Sequence, residues 1–211
     1  MRNKLVVFLA VLLGTVQLSL AQGMEEFSAF QEAAGFQSVL YRGHAAQQYT
    51  GALYNGHYYW ETPEFRKGTV LFNGKRYSNV LLNIDACDQQ LLAKAYDGMM
   101  PVAVSRDLVP EFEIDGQKYV NLSLAGQKDA SPGFYMVACE EPLIYQRINK
   151  IFSSSTGETN GPGIGYDDPN YRYDVYNYFM NDVHYYVLKD GKLKKMGRRK
   201  AQRTIMAAKE R

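Results

Sequence analysis

Residues that commonly perform chemistry are sparse in this chain of 211 residues. It has two cysteines, Cys87 and Cys139, and three histidines, His44, His57 and His184. The histidines lie far apart without the His-x-x-x-His spacing of a metal site, and the cysteines do not form a Cys-x-x-Cys pair. The sequence therefore predicts no bound metal and no cofactor.

Nucleophilic catalysis finds little support in the sequence. A thiol nucleophile would need Cys139 within hydrogen-bond reach of a histidine such as His184, and the surroundings "YMVACEE" are typical of a buried strand. A Gly-x-Ser-x-Gly elbow is absent. Glu111 and Glu113 would share one face of a strand and could flank a sugar, although such a pattern more often reflects solvation. We predict no catalytic residues and a protein that is not an enzyme; a hydrolase is the lowest-ranked alternative.

Two turn-rich motifs resemble ligand-binding loops only superficially. The motif "GPGIG" at 161–165 lacks the Lys-Ser or Lys-Thr pair of a phosphate-binding loop. Asp167 and Asp168 lack the alternating acidic positions and closing glutamate of a calcium loop. Both motifs lie in the serine-, glycine- and proline-rich stretch 153–170, which predicts a flexible surface loop, either a lid or a spacer.

Aromatic residues are stronger candidates for a binding surface, because the chain has 17 tyrosines. The stretches "HYYW" at 57–60 and "YRYDVYNYF" at 171–179 would each present several rings. Such rings bind sugars or peptide segments, or form a packed β-core with hydroxyls at its rim. The predicted binding face consists of Tyr58, Tyr59, Trp60, Tyr171 and Tyr173.

Charge is divided unevenly along the chain, whose net charge is +2. Residues 189–211 carry ten basic and two acidic residues, or +8, and the two basic residues of segment 1–21 leave −8 on residues 22–188 (2 − 2 − 8). The basic tail includes Lys194, Lys195, Arg198, Arg199 and Lys200. We interpret it as a solvated terminal helix or as a segment docked on the acidic body; anionic lipid and an acidic partner are alternatives. It lacks interleaved aromatics, so no nucleic acid is expected.

The N-terminus has the organisation of an export signal. Arg2 and Lys4 precede an apolar run at 5–13, and this run of nine residues is too short to span a bilayer comfortably. We predict that residues 1–21 are a signal peptide cleaved after Ala21, with an uncleaved inner-membrane anchor as the alternative. The mature chain is then expected in the periplasm or at the periphery of the outer membrane, with peripheral membrane contact at most.

Export would expose the two cysteines to an oxidising compartment, where Cys87 and Cys139 could form a disulfide. Sequence alone does not show that the two side chains meet. Two separate buried thiols are the alternative.

The rest of the pattern predicts a mainly β fold. Asn73-Gly74, Asp115-Gly116 and Asp190-Gly191 are each flanked by alternating apolar residues, and such pairs favour two-residue hairpins because both positions need positive φ. Short stretches such as "SVLYRG", "YTGALYNG" and "HYYWE" have strand composition. We expect about ten to twelve strands in an antiparallel meander, forming a sandwich, a barrel or an open curved sheet. Short helices are expected at 24–36 and at the C-terminus.

Domain boundaries follow from these elements. Residues 22–188 are predicted to form one β-rich domain with the loop 153–170, and residues 189–211 to form a basic hairpin end and terminal helix.

The turn and core positions occur in a recognisable order, which runs through Trp60, "GTVLFNGKRYSNVLLNID" at 68–85, "VPEFEIDGQKYVNL", "GFYMV" and "HYYVLKDGK". This order resembles a family of uncharacterised exported β-rich proteins of Bacteroidota. The end of the export signal, "SLAQG", is similar to signal peptides of that group. The resemblance implies an envelope location and a β-rich fold, and it brings no catalytic residues.

Together these features predict a non-enzymatic envelope module for binding or assembly, with an envelope protein or a lipid as its partner. The alternative is a periplasmic carrier whose curved sheet holds an apolar ligand such as a lipid.

Overall fold

The computed structural model describes residues 34–46, 54–158 and 173–209. The chain divides into two compact units, residues 1–39 and residues 40–211. In the first unit the structure describes a 3-10 turn at Gly35–Gln37, and a second 3-10 turn runs from Val39 to Tyr41. The strand predicted for "SVLYRG" is therefore wrong. The helix predicted at 24–36 lies almost wholly outside the described residues.

The second unit is mainly β, as predicted, with one C-terminal helix. Its elements are β1 (His44–Ala45), β2 (Tyr54–Asn55), β3 (Arg66–Phe72), β4 (Lys75–Asp85), β5 (Gln90–Lys94), β6 (Val102–Val104), β7 (Glu111–Ile114), β8 (Gln117–Val120), β9 (Tyr135–Cys139), β10 (Ile144–Arg147), β11 (Lys150–Glu158), β12 (Tyr173–Asn181), β13 (His184–Lys189), β14 (Lys192–Met196) and α1 (Arg198–Lys209).

Eleven of these strands form one sheet in the order β1-β6-β5-β4-β3-β7-β8-β9-β10-β13-β14. All its pairings are antiparallel. Two four-stranded meanders, β3 to β6 and β7 to β10, meet where β3 pairs with β7. The remaining strands form a small sheet in the order β11-β12-β2. The predicted antiparallel meander is confirmed, and of the three predicted architectures it is the open sheet that forms.

All three predicted hairpin turns are present. They connect β3 to β4, β7 to β8 and β13 to β14. Both residues of each turn have positive φ, which the preferred two-residue hairpin requires. The values are 49° at Asn73, 74° at Gly74, 49° at Asp115, 76° at Gly116, 55° at Asp190 and 70° at Gly191.

The core lies on one alternating face of the first hairpin and continues into the second meander. Val70 and Leu82 are fully buried. The rings of Phe112 and Tyr119 stack with centroids 4.8 Å apart, and Phe134 meets Phe112 edge-on at 4.9 Å. These ring contacts lie within the second meander, and the pairing of β7 with β3 places them beside the first hairpin.

A glycine permits the close approach of β3 to β7. Gly68 pairs with Ile114, and a Cβ atom at Gly68 would overlap the backbone carbonyl oxygen of Glu113. Only a residue without a side chain fits at this position, so the junction of the two meanders depends on Gly68.

A buried amide ties the same two meanders together at a second place. Gln89, in the turn between β4 and β5, is only 5% exposed. Its Nε2 donates to Ala86 O at 2.9 Å and to Ile148 O, and its Oε1 accepts a hydrogen bond from Phe134 N at 3.3 Å. Ala86 belongs to the same turn, whereas Phe134 and Ile148 flank β9 and β10. One side chain therefore satisfies backbone groups from both meanders.

Replacing Gly68 by alanine should destabilise the protein more than replacing Gly74. Gly68→Ala forces β3 away from β7 and should cost about 1–3 kcal/mol of unfolding free energy. Gly74→Ala has open space around it and only an unfavourable φ, which costs about 1 kcal/mol. Urea unfolding of both variants measures the difference. Equal losses would contradict the close approach at Gly68.

Replacing Gln89 by glutamate should destabilise the protein more than replacing it by methionine at neutral pH. The carboxylate would face two carbonyl oxygens, and leaving buried polar groups unsatisfied costs about 1–3 kcal/mol each. Burial raises a carboxyl pKa, so the deficit should grow as pH rises above the unfolded-state value near 4.3. Denaturant unfolding at about pH 5 and about pH 7.5 tests this. A Gln89→Glu variant as stable as Gln89→Met at both pH values would refute it.

Candidate functional site

The predicted aromatic segment 57–60 lies along the end of β4. The Trp60 N–H donates to Ile84 O at 2.9 Å, and the Ala86 N–H donates to Tyr58 O at 3.0 Å. These two backbone bonds attach the segment to the sheet as a short antiparallel addition. They fix which way its rings point.

A buried asparagine positions the loop that follows. Asn83, which is 1% exposed, donates from Nδ2 to Thr62 O and to Glu64 O, both at 2.9 Å. Its Oδ1 accepts a hydrogen bond from Ile84 N at 2.7 Å. Because both amide donors hold the loop, Phe65 is placed beside the aromatic segment.

Of the three rings of this segment that were predicted to form a binding face, one is buried in the structure and two are partly exposed. Trp60 is only 6% exposed and belongs to the core, so its assignment to a binding face is wrong. Tyr58 and Tyr59 are half-buried, and the Tyr58 hydroxyl donates to the Tyr59 hydroxyl at 2.8 Å. Burial and this neighbouring hydroxyl raise the pKa of Tyr58, so it stays neutral.

Five rings form a continuous row that we call the aromatic row. Two of its members were predicted, whereas the other three come from separate parts of the sequence. In spatial order the row is Phe65, Tyr59, Tyr58, Phe179 and Phe152, with successive centroid distances of 5.9, 4.1, 6.2 and 5.3 Å.

The far end of the aromatic row is supplied by the hairpin β11–β12. Phe152 and Phe179 are opposite each other across the two strands and therefore share a face. Ile151 and Met180 form the next pair and lie on the other face. Phe152 is 44% exposed, and Ile151 and Met180 are each 45% exposed. Both faces of this hairpin thus present apolar side chains to solvent.

Two lysines flank the aromatic row. Lys94 Nζ lies 4.4 Å from the ring centroid of Phe65, within cation–π range. Lys150 Nζ donates to His57 O at 2.7 Å and lies 3.5 Å from His57 Nδ1. Burial lowers the pKa of Lys150, and the nearby Cys87 thiol acts in the opposite direction. Burial lowers the pKa of His57, and the Lys150 ammonium adds to this effect.

Several predicted residues fall outside what the structure describes. Tyr171, the motif 161–165 and Asp167 with Asp168 lie among the undescribed residues, and Tyr173 is in β12 without a described side chain. The loop predicted at 153–170 is wrong for residues 153–158, which continue β11 and pair with β12. Backbone pairing overrides the loop-like composition there.

The two cysteines, both described, are not joined by a disulfide. Cys87 lies in the turn between β4 and β5, and Cys139 ends β9. The alternative of two separate thiols holds, although each residue is only partly buried. The Cys87 N–H donates to Oδ1 of the buried Asp85 at 2.9 Å, which shapes the turn.

Cys139 and His184, which were considered as a catalytic pair, lie on different strands on opposite sides of β10. Cys139 on β9 pairs with Ile144, and His184 on β13 pairs with Arg147, so the whole width of β10 and an offset of three residues separate the two positions.

Glu111, the first of the two glutamates, belongs to an ion-pair group. Glu111 pairs with Lys118 at 2.8 Å and with Arg76 at 3.0 Å. The hydrogen bond from Lys118, with a smaller contribution from Arg76, lowers the pKa of Glu111. Glu113 lies opposite Lys118 on the neighbouring strand. This arrangement is typical of a solvated sheet face.

The basic tail forms β14 and α1. Lys194 and Lys195 lie on β14, Arg198, Arg199 and Lys200 begin α1, and all five are exposed. Helix α1 is anchored by its apolar side, where the fully buried Ala201 packs with Ile144 and Tyr185. Within the described ranges none of these five cations forms an ion pair, so the contacts seen between α1 and the sheet are apolar and not ionic.

A groove of about 490 Å³ lies between α1 and the sheet. Its sheet side is formed by residues of β8, β9, β10 and β13, including Met136 and Gln146. Its helix side is formed by Gln202, Met206 and Lys209.

The second unit is thus built around an antiparallel sheet of eleven strands, and its described residues include the aromatic row and the groove beside α1. No protein-family model, curated protein or solved structure matches the chain. Over the described ranges, no helix has the length and apolarity needed to cross a bilayer. Nor do three or more His, Cys, Asp or Glu side chains in those ranges gather as a metal site would require.

Replacing His57 by glutamine should reduce the loss of stability on acidification. The pKa of His57 is held below its ordinary value near 6.5, so the unfolded chain binds the proton more readily and folding weakens as pH falls through that value. His57→Gln removes this contribution, which denaturant unfolding between about pH 7.5 and about pH 5.5 would measure. As a control, Lys150→Met should raise the pKa of His57 in an NMR titration. An unchanged pH slope in His57→Gln would contradict the assignment.

Proposed function

We propose that this protein is a non-enzymatic binding module of the bacterial cell envelope that holds a partner protein against its aromatic row. The observation that carries the proposal is the row itself, in which five rings from three segments of the chain lie side by side and partly exposed. Exposed apolar clusters bordered by charged groups are typical of protein–protein contact sites.

The geometry of the rings favours a protein over a sugar as the ligand. Neighbouring rings of the aromatic row are inclined to each other by 78°, 30°, 56° and 49°. Sugars stack on flat ring faces, whereas tilted rings form clefts between them that accept apolar side chains. Aromatic anchors of this kind commonly dominate the energetics of protein interfaces.

The surrounding groups support binding over catalysis. Lys150 is committed to the His57 carbonyl oxygen, and the Tyr58 hydroxyl to that of Tyr59. Lys94 lies against the ring of Phe65. These contacts fix the row in place and leave positive charge at its border, which suits a partner with apolar and acidic residues.

The envelope location rests on the sequence. The predicted export signal at 1–21 and the resemblance to exported proteins of Bacteroidota both support a location of the mature chain outside the cytoplasm. The alternative of a carrier for an apolar ligand has less support, since the groove beside α1 opens to solvent and is lined partly by glutamine amides.

The proposal predicts that one exposed ring of the aromatic row controls partner capture. Tagged mature protein, residues 22–211, is incubated with envelope extract as wild type, as Phe152→Asp and as Met100→Asp. Phe152 is 44% exposed, and Met100, a matched control away from the row, is 61% exposed. Wild type and Met100→Asp should retain the same discrete protein, and Phe152→Asp should retain about ten-fold less.

Either of two results would overturn the proposed function. One is equal capture by Phe152→Asp and wild type. The other is recovery of co-purifying lipid in place of any protein, which would favour the carrier. Thermal unfolding of each variant verifies that reduced capture does not reflect an unfolded protein.

A further inference from the structure

The strongest charge feature of the molecule is separate from the aromatic row. Residues 189–209 contain nine basic residues and one acidic residue, Asp190, for a net charge of +8 (9 − 1). We call these nine basic residues the basic surface. It comprises Lys189, Lys192, Lys194, Lys195, Arg198, Arg199, Lys200, Arg203 and Lys209, all exposed.

Among the residues that the structure describes, no acidic side chain forms an ion pair with the basic surface. Across the ranges that the structure describes, the ion pairs involve Arg66, Arg76, Lys118 and His184, and no member of the basic surface takes part. Nine like charges in 21 residues repel one another, so an approaching anion would relieve unfavourable energy as well as gain attraction.

The groove beside α1 opens next to this basic surface. Lys209 lines the groove directly. Arg199 and Arg203 are spaced seven and three residues before Met206, another lining residue, and therefore lie on the same side of the helix. A ligand seated in the groove would meet positive charge along its edge.

The lining of the groove combines two kinds of chemistry. Met136, Ile205 and Met206 are apolar, and Met206 is 63% exposed. Gln146 and Gln202 also line the groove, and within the described part of the chain their side-chain amides have no hydrogen-bond partner. By contrast, Gln117 Nε2 at the same groove donates to Val137 O at 2.8 Å.

This combination distinguishes a peptide from a lipid. An acyl chain would bury the two glutamine amides without hydrogen bonds, which is unfavourable. An extended peptide offers backbone N–H and C=O groups to those amides and side chains to the methionines, whose flexible thioethers adapt to varied surfaces. Acidic side chains on the same peptide would face Arg199, Arg203 and Lys209.

We propose that the groove beside α1 binds an extended acidic peptide segment of a partner protein. This inference goes beyond the proposed function and does not depend on the aromatic row. The helix and sheet fix the apolar contacts and the amides, while the basic surface selects the charge of the segment.

Fluorescence anisotropy with three labelled peptides tests the inference. They are an alternating glutamate–leucine peptide, the same peptide with glutamine for glutamate, and the same with lysine for glutamate. The acidic peptide should bind the mature protein most tightly, with an affinity that falls as salt is raised, and the lysine peptide should not bind.

Variants with matched charge change locate the site. Arg199→Glu with Arg203→Glu should weaken binding of the acidic peptide about ten-fold or more. Lys67→Glu with Lys128→Glu, two exposed lysines elsewhere on the chain, changes the net charge equally and should leave the affinity nearly unchanged. Gln146→Ala with Gln202→Ala should weaken the acidic and the neutral peptide by the same factor, because the amides contact the backbone.

Four results would overturn the inference. They are no binding of the acidic peptide, equal weakening by the control pair, tighter binding to phosphatidylglycerol vesicles than to the peptide, and dimerisation of the protein that Arg199→Glu with Arg203→Glu abolishes. The last two would assign the basic surface to a membrane or to a second copy of the chain. Phe152→Asp should leave peptide binding unchanged, so this inference and the proposed function can fail separately.

Discussion

The pairing of β3 with β7 joins the two meanders, and the rest of the sheet depends on this junction. The buried side-chain amide of Gln89 reinforces this junction. It satisfies backbone groups of the β4–β5 turn and of the segments flanking β9 and β10, where no continuous strand pairing links them. Asn83, near the end of β4, acts in the same way, since its side-chain amide holds the loop that leads to Phe65. Buried amides thus hold the irregular segments against the sheet. Because some of these segments carry rings of the aromatic row, the amides also fix the positions of those rings.

The two surface features use different parts of the same scaffold. The aromatic row lies where the end of β4 meets the hairpin β11–β12, and the groove lies where α1 packs on β9 and β13. The aromatic row is apolar with positive charge at its border, and the groove is amphipathic and lies beside the basic surface. Under the two proposals, one molecule would hold two partners, or two parts of one partner, at once.

Local features of the sequence predicted local structure well. Asn73-Gly74, Asp115-Gly116 and Asp190-Gly191 gave the hairpins because the demand for positive φ lies within the dipeptide itself. The contacts of Gly68 and Gln89 could not be predicted from the sequence, since each depends on strands distant in sequence. Trp60 was misplaced because an aromatic pattern does not distinguish a core ring from a surface ring. Asn83 is a polar residue within the apolar run "VLLNID". This pattern was the available sequence signal for a buried side chain that hydrogen-bonds the backbone of another segment.

The charged edge strand β14 affects how the folded protein associates at high concentration. A sheet of eleven strands ends at two edges, and an exposed edge is a template for aggregation. One edge here is β1, only two residues long. The other is β14, where Lys192, Lys194 and Lys195 place charge along the strand. A neighbouring chain would have to bury those ammonium groups to add a strand, so the sheet resists growth into cross-β aggregates.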